Sequence, residues 1–174
     1  DQDEQLHFLV MEYVDGINLQ DLVKKTGPID ILRACHYIRQ SADGLEHAHG
    51  AGLVHRDIKP GNILVDRTGT VKILDMGLAR VEAELDGGDG LTRSGDVMGT
   101  VDYMAPEQDG SHDDVGPWSD AYPIGLMLYR AVTGRLPFIG TSAQDVLYQK
   151  HRGGFIRPTT FPFGLPEPLD LWMG

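Results

Sequence analysis

Apolar positions recur along this chain with several different periods, and each period predicts a different element. The run His7-Phe8-Leu9-Val10-Met11-Glu12-Tyr13-Val14 is β-branched and aromatic and stops at Asp15-Gly16, which predicts a strand running into a turn. Asn18 then stands where a helix cap belongs, ahead of Leu19, Leu22 and Val23, and Gly27-Pro28 closes that short helix, which is expected to face a cleft. From Asp30 onward Ile31, Ala34, Cys35, Ile38, Ala42, Leu45 and Ala48 return every three or four residues, the stripe of a long amphipathic helix that stops near Gly50-Ala51-Gly52. Two short alternating runs follow, Asn62 to Val65 and Thr70 to Leu74. Asp66-Arg67-Thr68-Gly69 joins them as a hairpin turn whose glycine can take a positive φ.

The second half of the chain is less regular. Residues Val81 to Gly99 are rich in Gly, Asp, Ser and Thr and show no sustained period, so they read as a long loop of the kind that often carries function. Trp118 to Thr133 predicts a second buried helix ended by Gly134-Arg135-Leu136-Pro137-Phe138, and Thr141 to His151 a further one. Pro123 falls inside the first of these, where proline is tolerated only near the N-terminus, so that helix is expected to start late or to kink. After Gly153 come Pro158, Pro162, Pro166 and Pro168 with no packing period, and the expectation is a poorly ordered tail over 153–174.

Composition narrows the class. The 174 residues are 41% hydrophobic and 24% charged, ordinary for one globular domain. A net charge of -11 argues against sequence-independent nucleic-acid binding, which requires a basic surface to displace counterions. The acidic runs Asp1 to Glu4, Glu82 to Asp89 and Asp109 to Asp114 read as solvated loops. Cys35 is the only cysteine, so neither an intrachain disulfide nor a thiolate metal cluster can form, and a reducing, cytoplasmic location is expected. The most apolar stretch, Ala121 to Leu128, is interrupted by Pro123 and Gly125 and is too short to span a bilayer.

The chemistry is concentrated in His55-Arg56-Asp57-Ile58-Lys59-Pro60-Gly61-Asn62-Ile63 and, a little further on, Asp75-Met76-Gly77. These place a carboxylate, an ammonium and an amide on one short loop and a second carboxylate beside a glycine, the set that phosphoryl transfer through Mg²⁺ requires. With Gly99-Thr100 and Ala105-Pro106-Glu107 following in order, the chain from about Leu6 to Phe138 resembles the protein-kinase family, in its bacterial, eukaryotic-like (Hanks-type) Ser/Thr branch.

The resemblance implies an α+β, protein-kinase-like fold. Residues 1–152 would be a partial kinase domain, a mostly helical C-lobe with a hinge strand and a short catalytic-loop hairpin, and 153–174 the proline-rich tail. Neither a glycine-rich phosphate loop, a strand lysine nor the helix glutamate that orients it precedes Leu6, so most of the N-lobe is expected to be absent. Transfer by this chain alone is expected to be weak or nil.

The resemblance also implies roles. Asp57 would orient or deprotonate the incoming hydroxyl and Lys59 would neutralise charge on the moving phosphoryl group, while Asn62 and Asp75 offer Mg²⁺ the hard oxygen ligands it prefers. Met11, Glu12 and Val14 correspond to the gatekeeper and the hinge backbone that receives the adenine of ATP, Asn18 lies near the ribose, and Leu64 forms the apolar floor. Lys59, Asn62 and Asp75 complete the ATP side. Arg56 could bind a phosphate placed on Thr92 or Ser94, and Thr100 would bond Asp57 and Lys59 and select hydroxyl substrates. His55, Met76, Gly77, Glu107 and Asp120 would be structural, Asp120 by holding the loop's backbone amides and Met76 by filling the slot phenylalanine more usually fills. Glu107 has no convincing arginine partner downstream, which would leave a buried carboxylate uncompensated. The expected partners are ATP and Ser/Thr-bearing proteins, with no nucleic acid and no membrane segment. The competing readings are a non-catalytic interaction or nucleotide-binding module and a small-molecule phosphotransferase, the latter disfavoured by Lys59, Gly99-Thr100 and Ala105-Pro106-Glu107. His47 and His49, two apart on a helix, face different directions and are no metal pair; Cys35 is read as core packing and the six methionines as scattered fillers.

Overall fold

The computed structural model describes residues 11–76, 101–109 and 115–169. Gly77, Thr92, Ser94 and Thr100 lie outside them, as does the whole of the loop read between Val81 and Gly99.

Strand β1 spans Gly16–Asn18 and runs directly into helix α1, Leu19–Thr26. The Asn18 side chain accepts from the Asp21 amide at 2.8 Å, satisfying one of the first-turn N–H groups, while Leu19, Leu22 and Val23 turn into the core. Of the strand expected over 7–14, residues 7–10 lie outside the described residues and 11–14 are not in a strand. Among the described residues the paired backbone begins at Gly16. A Cβ at position 16 would sit 2.4 Å from the Val65 carbonyl oxygen, so only glycine allows the approach that this pairing requires.

Helix α2 covers Ile31–Gly50, capped by Asp30, which accepts from the Leu32 and Arg33 amides at 2.9 and 3.2 Å. Its buried face is Ala34, Tyr37, Ile38, Ser41, Leu45 and Ala48. Cys35, expected in the core, is exposed instead, since it lies at the edge of a stripe narrower than the apolar spacing implied.

The hairpin pairs β2, Ile63–Asp66, with β3, Val71–Ile73, and β1 adds antiparallel on the other side of β2. Its turn is built by Asp66, whose Oδ1 accepts from the Thr68 hydroxyl and from the Thr68 and Thr70 amides at 2.7, 2.8 and 2.9 Å, with Gly69 at φ 87°. These donors, the Thr68 hydroxyl foremost, hold the Asp66 carboxyl below its usual range.

Helix α3 runs Pro117–Thr133 and ends at Gly134 in the left-handed conformation. It neither starts late nor breaks at Pro123, which is buried within it. Helices α2 and α3 pack on each other, and Leu45, Ile58, Ile63, Met127 and Val132 belong to the single core cluster that results. Helix α4, Ala143–Arg152, follows, with Ser142 accepting from the Asp145 amide.

Residues 153–169 correct the expectation of a tail without order. The Tyr129 hydroxyl donates to the Ile156 carbonyl at 2.8 Å, the rings of Phe155 and Phe161 meet Tyr129 edge-on at 5.8 and 6.3 Å, and Leu169 is buried in the core. Aromatic residues spaced irregularly along an irregular segment supply this packing, so no period announces it.

Candidate active site

Four polar connections fix the loop from His55 to Asn62, and most come from residues far away in the chain. Asp120, in the first turn of α3, is fully buried, and its Oδ1 accepts from the Arg56 amide at 2.7 Å while Oδ2 accepts from the His55 amide at 2.8 Å. His49, at the end of α2, approaches the same Oδ2 through Nε2 at 2.9 Å. The His55 ring donates from Nε2 to the Leu74 carbonyl at 2.8 Å and accepts from the Asp57 amide at Nδ1, so one imidazole links the loop to the segment carrying Asp75. Gln108 donates to the Arg56 carbonyl at 2.8 Å and accepts from the Ala105 amide at 2.9 Å. Arg56 is thereby held at φ 69° with its side chain exposed. A non-glycine residue there costs on the order of 1–3 kcal/mol, which the surrounding bonds must offset.

On this loop the Asp57 Oδ2 lies 2.8 Å from the Lys59 ammonium, with both side chains about one-third exposed to solvent (36% and 31%). Asn62, in the 3₁₀ turn Pro60–Asn62, is buried and turns its amide nitrogen toward Asp57, donating to the backbone carbonyl at 2.9 Å and toward Oδ2 at 3.4 Å. The Asn62 carbonyl accepts from the Leu74 amide at 2.8 Å, which brings Asp75 alongside. Asp75 is at φ 58° with its carboxylate exposed, and Met76 is half-buried against the core. The structure therefore joins Asp57, Lys59 and Asn62 directly and sets the backbone of Asp75 next to Asn62. With the Asn62 nitrogen tied back to Asp57, its amide oxygen is left as an acceptor, and it and the exposed Asp75 carboxylate are oxygen donors of the type Mg²⁺ takes. Among the described residues there is no cluster of three or more His, Cys, Asp or Glu side chains arranged for a metal.

The residues expected around a nucleotide base lie at the sheet. Asn18 stands opposite Leu64 in the β1–β2 register and Leu64 opposite Lys72 in β2–β3, so the three share one face. Lys72 reaches the Glu12 carboxylate at 3.1 Å. Met11 and Glu12 are exposed and Val14 is half-buried. Asn18 also serves as the α1 cap, its amide donating to Asp21 Oδ2 at 3.0 Å.

Glu107 departs from expectation. It is half-buried rather than stranded, and it accepts from the Ser119 hydroxyl at 2.7 Å. Burial, with the Glu107 charge as a lesser cause, pushes the nearby Tyr122 phenol up to about 12.

Three further residues that hold this region escaped the sequence reading. His49, Gln108 and Lys150 each bond a group at least 46 residues away, so nothing local in the sequence marks them. Lys150 is 5% exposed and donates to the carbonyls of Val101, Asp102 and Met104 at 2.7, 2.9 and 2.7 Å.

A loop held by a buried helix carboxylate and carrying Asp57, Lys59 and Asn62 beside Asp75 is the arrangement of an enzyme that handles phosphoryl groups. Residues 1–164 match the protein kinase domain, and the chain belongs to the protein kinase family. It is 41% identical over 165 residues to the serine/threonine-protein kinase PknB of Mycobacterium tuberculosis, covering 95% of this chain and 26% of that protein. To PknA of the same species it is 46% identical over 139 residues, 80% of this chain and 31% of that protein. PknB of Mycobacterium leprae is 39% identical over 165 residues. The chain thus spans between a quarter and a third of the length of these relatives. The partial kinase fold expected from the motifs is the fold found. Among the described residues no helix is long and apolar enough to cross a membrane.

Proposed function

We propose that this chain carries the C-lobe share of a Ser/Thr protein kinase site, which transfers the γ-phosphoryl group of ATP to Ser or Thr hydroxyls of proteins. The observation that carries the reading is the Asp57–Lys59 pair at 2.8 Å, bridged to Asn62 on a loop whose backbone a fully buried Asp120 fixes. As the substrate oxygen bonds to the γ-phosphorus and the bond to the β-bridging oxygen breaks, Asp57 orients the hydroxyl and takes its proton. Lys59 is within reach of the same carboxylate and offsets charge on the oxygens of the moving group. Asn62 and Asp75 would hold Mg²⁺, whose charge neutralises the phosphates. The hinge backbone at Met11, Glu12 and Val14, together with Asn18 and Leu64, would receive the adenosine.

Arg56, exposed beside Asp57, would pair with a phosphate on Thr92 or Ser94, and Thr100 would favour hydroxyl acceptors. The packing of 153–169 onto Tyr129 favours drawing the folded unit to 169 rather than 152.

The test is transfer of γ-phosphate from Mg-ATP to the chain itself and to a generic Ser/Thr substrate, compared with Asp57→Asn, together with calorimetric titration of Mg-ATP. Transfer abolished in the variant establishes the reading. Nucleotide binding without transfer is the outcome that the weak or absent turnover expected of this chain allows, and neither binding nor transfer, from folded protein, refutes the reading.

A further inference from the structure

Lys150 is out of character for its position. On α4 it follows Val146 and Leu147 at the spacing of the buried face, where an aliphatic residue would complete the stripe, and it is the sole buried lysine or arginine among the described residues. Burial works against its charge, pulling the ammonium down to about 8 while Asp102 pulls the other way. What it gains is specific. All three of its N–H groups are used, on three carbonyls of one short segment, and its Nζ also lies 5.7 Å from the centre of the Tyr122 ring. Those carbonyls turn inward with no backbone donor to meet them among the described residues, so without Lys150 they would be orphaned.

The segment so fastened borders the site. Tyr103 and Met104 line a small cavity with Arg56, Asp57, Ile58 and Gln108. The wall beside Asp57 is therefore set partly by Arg56 and Gln108 and partly by a turn that a lysine on α4 holds in place. We infer that Lys150 is a positioning residue for the protein substrate: by fixing the 101–104 carbonyls it sets the wall against which a hydroxyl-bearing peptide is presented to Asp57. This rests on the phosphotransfer reading, and it concerns the peptide rather than the nucleotide, whose expected contacts lie across the loop at β1–β3.

The experiment compares wild type, Lys150→Met, which matches the side chain's length without donors, and Lys150→Arg, which keeps charge and donors. Hydrogen exchange is followed at the amides of 102–105, and transfer is measured to a serine- and threonine-containing synthetic peptide while peptide and ATP are varied separately. Lys150→Met is expected to speed exchange there at least about tenfold and to raise the peptide KM by about tenfold, with the ATP KM within about twofold, and Lys150→Arg to recover most of both. Unchanged exchange in Lys150→Met overturns the inference, as does faster exchange with an unchanged peptide KM, which would make the lysine structural only. If wild type transfers nothing, the dissociation constant of the same peptide replaces KM. A peptide that wild type does not bind overturns the substrate role and the kinase reading together, whereas intact transfer with a Lys150-insensitive KM overturns the inference alone. Should Lys150→Met fail to fold, Lys150→Gln, which retains two donor hydrogens, is scored in the same way.

Discussion

Replacing Asp120 by asparagine changes one oxygen to an amide nitrogen of the same size, so its effect isolates the carboxylate rather than the packing. The native side chain is 0% exposed and accepts from the Arg56 amide at 2.7 Å through one oxygen and from the His55 amide and His49 at 2.8 and 2.9 Å through the other. Asparagine keeps one acceptor, so either the Arg56 amide or the His55 amide must face an NH₂ group. The variant loses one bond to a charged acceptor, roughly 1.5–3 kcal/mol, and leaves a shielded N–H unpaired, roughly 1–3 kcal/mol more. Part of this is recovered, because once its amide is released Arg56 can leave φ 69° and relieve some of the strain held there. The expected net loss is about 3 kcal/mol, which for a chain of 174 residues lowers the midpoint by roughly 6–12 °C. Thermal and urea denaturation followed by circular dichroism measure the loss, and hydrogen exchange at residues 55–58 locates it. A drop under about 1 kcal/mol, or a full drop with the exchange of 55–58 unaltered, would refute the argument that this carboxylate fixes the loop.

Other expectations follow from the same contacts. Asn62→Leu deletes the donor to the Asp57 carbonyl from a buried site, and should cost about 1–3 kcal/mol in urea denaturation while removing any nucleotide-dependent Mg²⁺ binding seen calorimetrically. Gly16→Ala would put a methyl 2.4 Å from the Val65 carbonyl oxygen, so β1 must move away; a loss of about 1–3 kcal/mol and faster exchange at residues 16–18 are expected, against none if the strand is free to shift. Lys150, held near 8 when folded against an ordinary 10.5, binds a proton more readily in the unfolded chain, so stability should rise by roughly 2 kcal/mol between pH 8 and 10. Subtracting the curve of Lys150→Met isolates the effect, since Asp102 and Tyr122, the titratable groups that face the ammonium, remain in both; a difference that does not vary with pH would defeat the claim.

How much of this was legible in the sequence depends on how local each cause is. The α2 stripe, its Asp30 cap and the Asp66–Gly69 turn are settled by residues within a few positions of one another, and their positions were readable. Pairing at Gly16 depends on backbone nearly fifty residues on, and a β-branched run alone does not reveal which backbone has a partner, so β1 is not legible locally. Cys35 was placed in the core because apolar spacing gives the helix face but not the width that neighbours cover. The motif residues Asp57, Lys59 and Asn62 are legible because they share one short loop, where they bond one another. His49, Gln108 and Lys150 were not, since polar groups satisfied by distant backbone have no signature of their own.

The long reach of Asp120 has a kinetic side. Its bonds join residues 64 and 65 positions apart, and His49 meets it across 71. Contacts of such separation are reached late in a folding reaction, because the intervening chain must surrender its freedom before they form. The loop from His55 to Asp57 therefore acquires its shape only when α3 docks on α2, after the hairpin and both helices can already exist. Substitutions at its anchors should accordingly hasten unfolding more than they slow folding. The geometry of the loop is thus tied to the docking of two helices rather than to its own sequence.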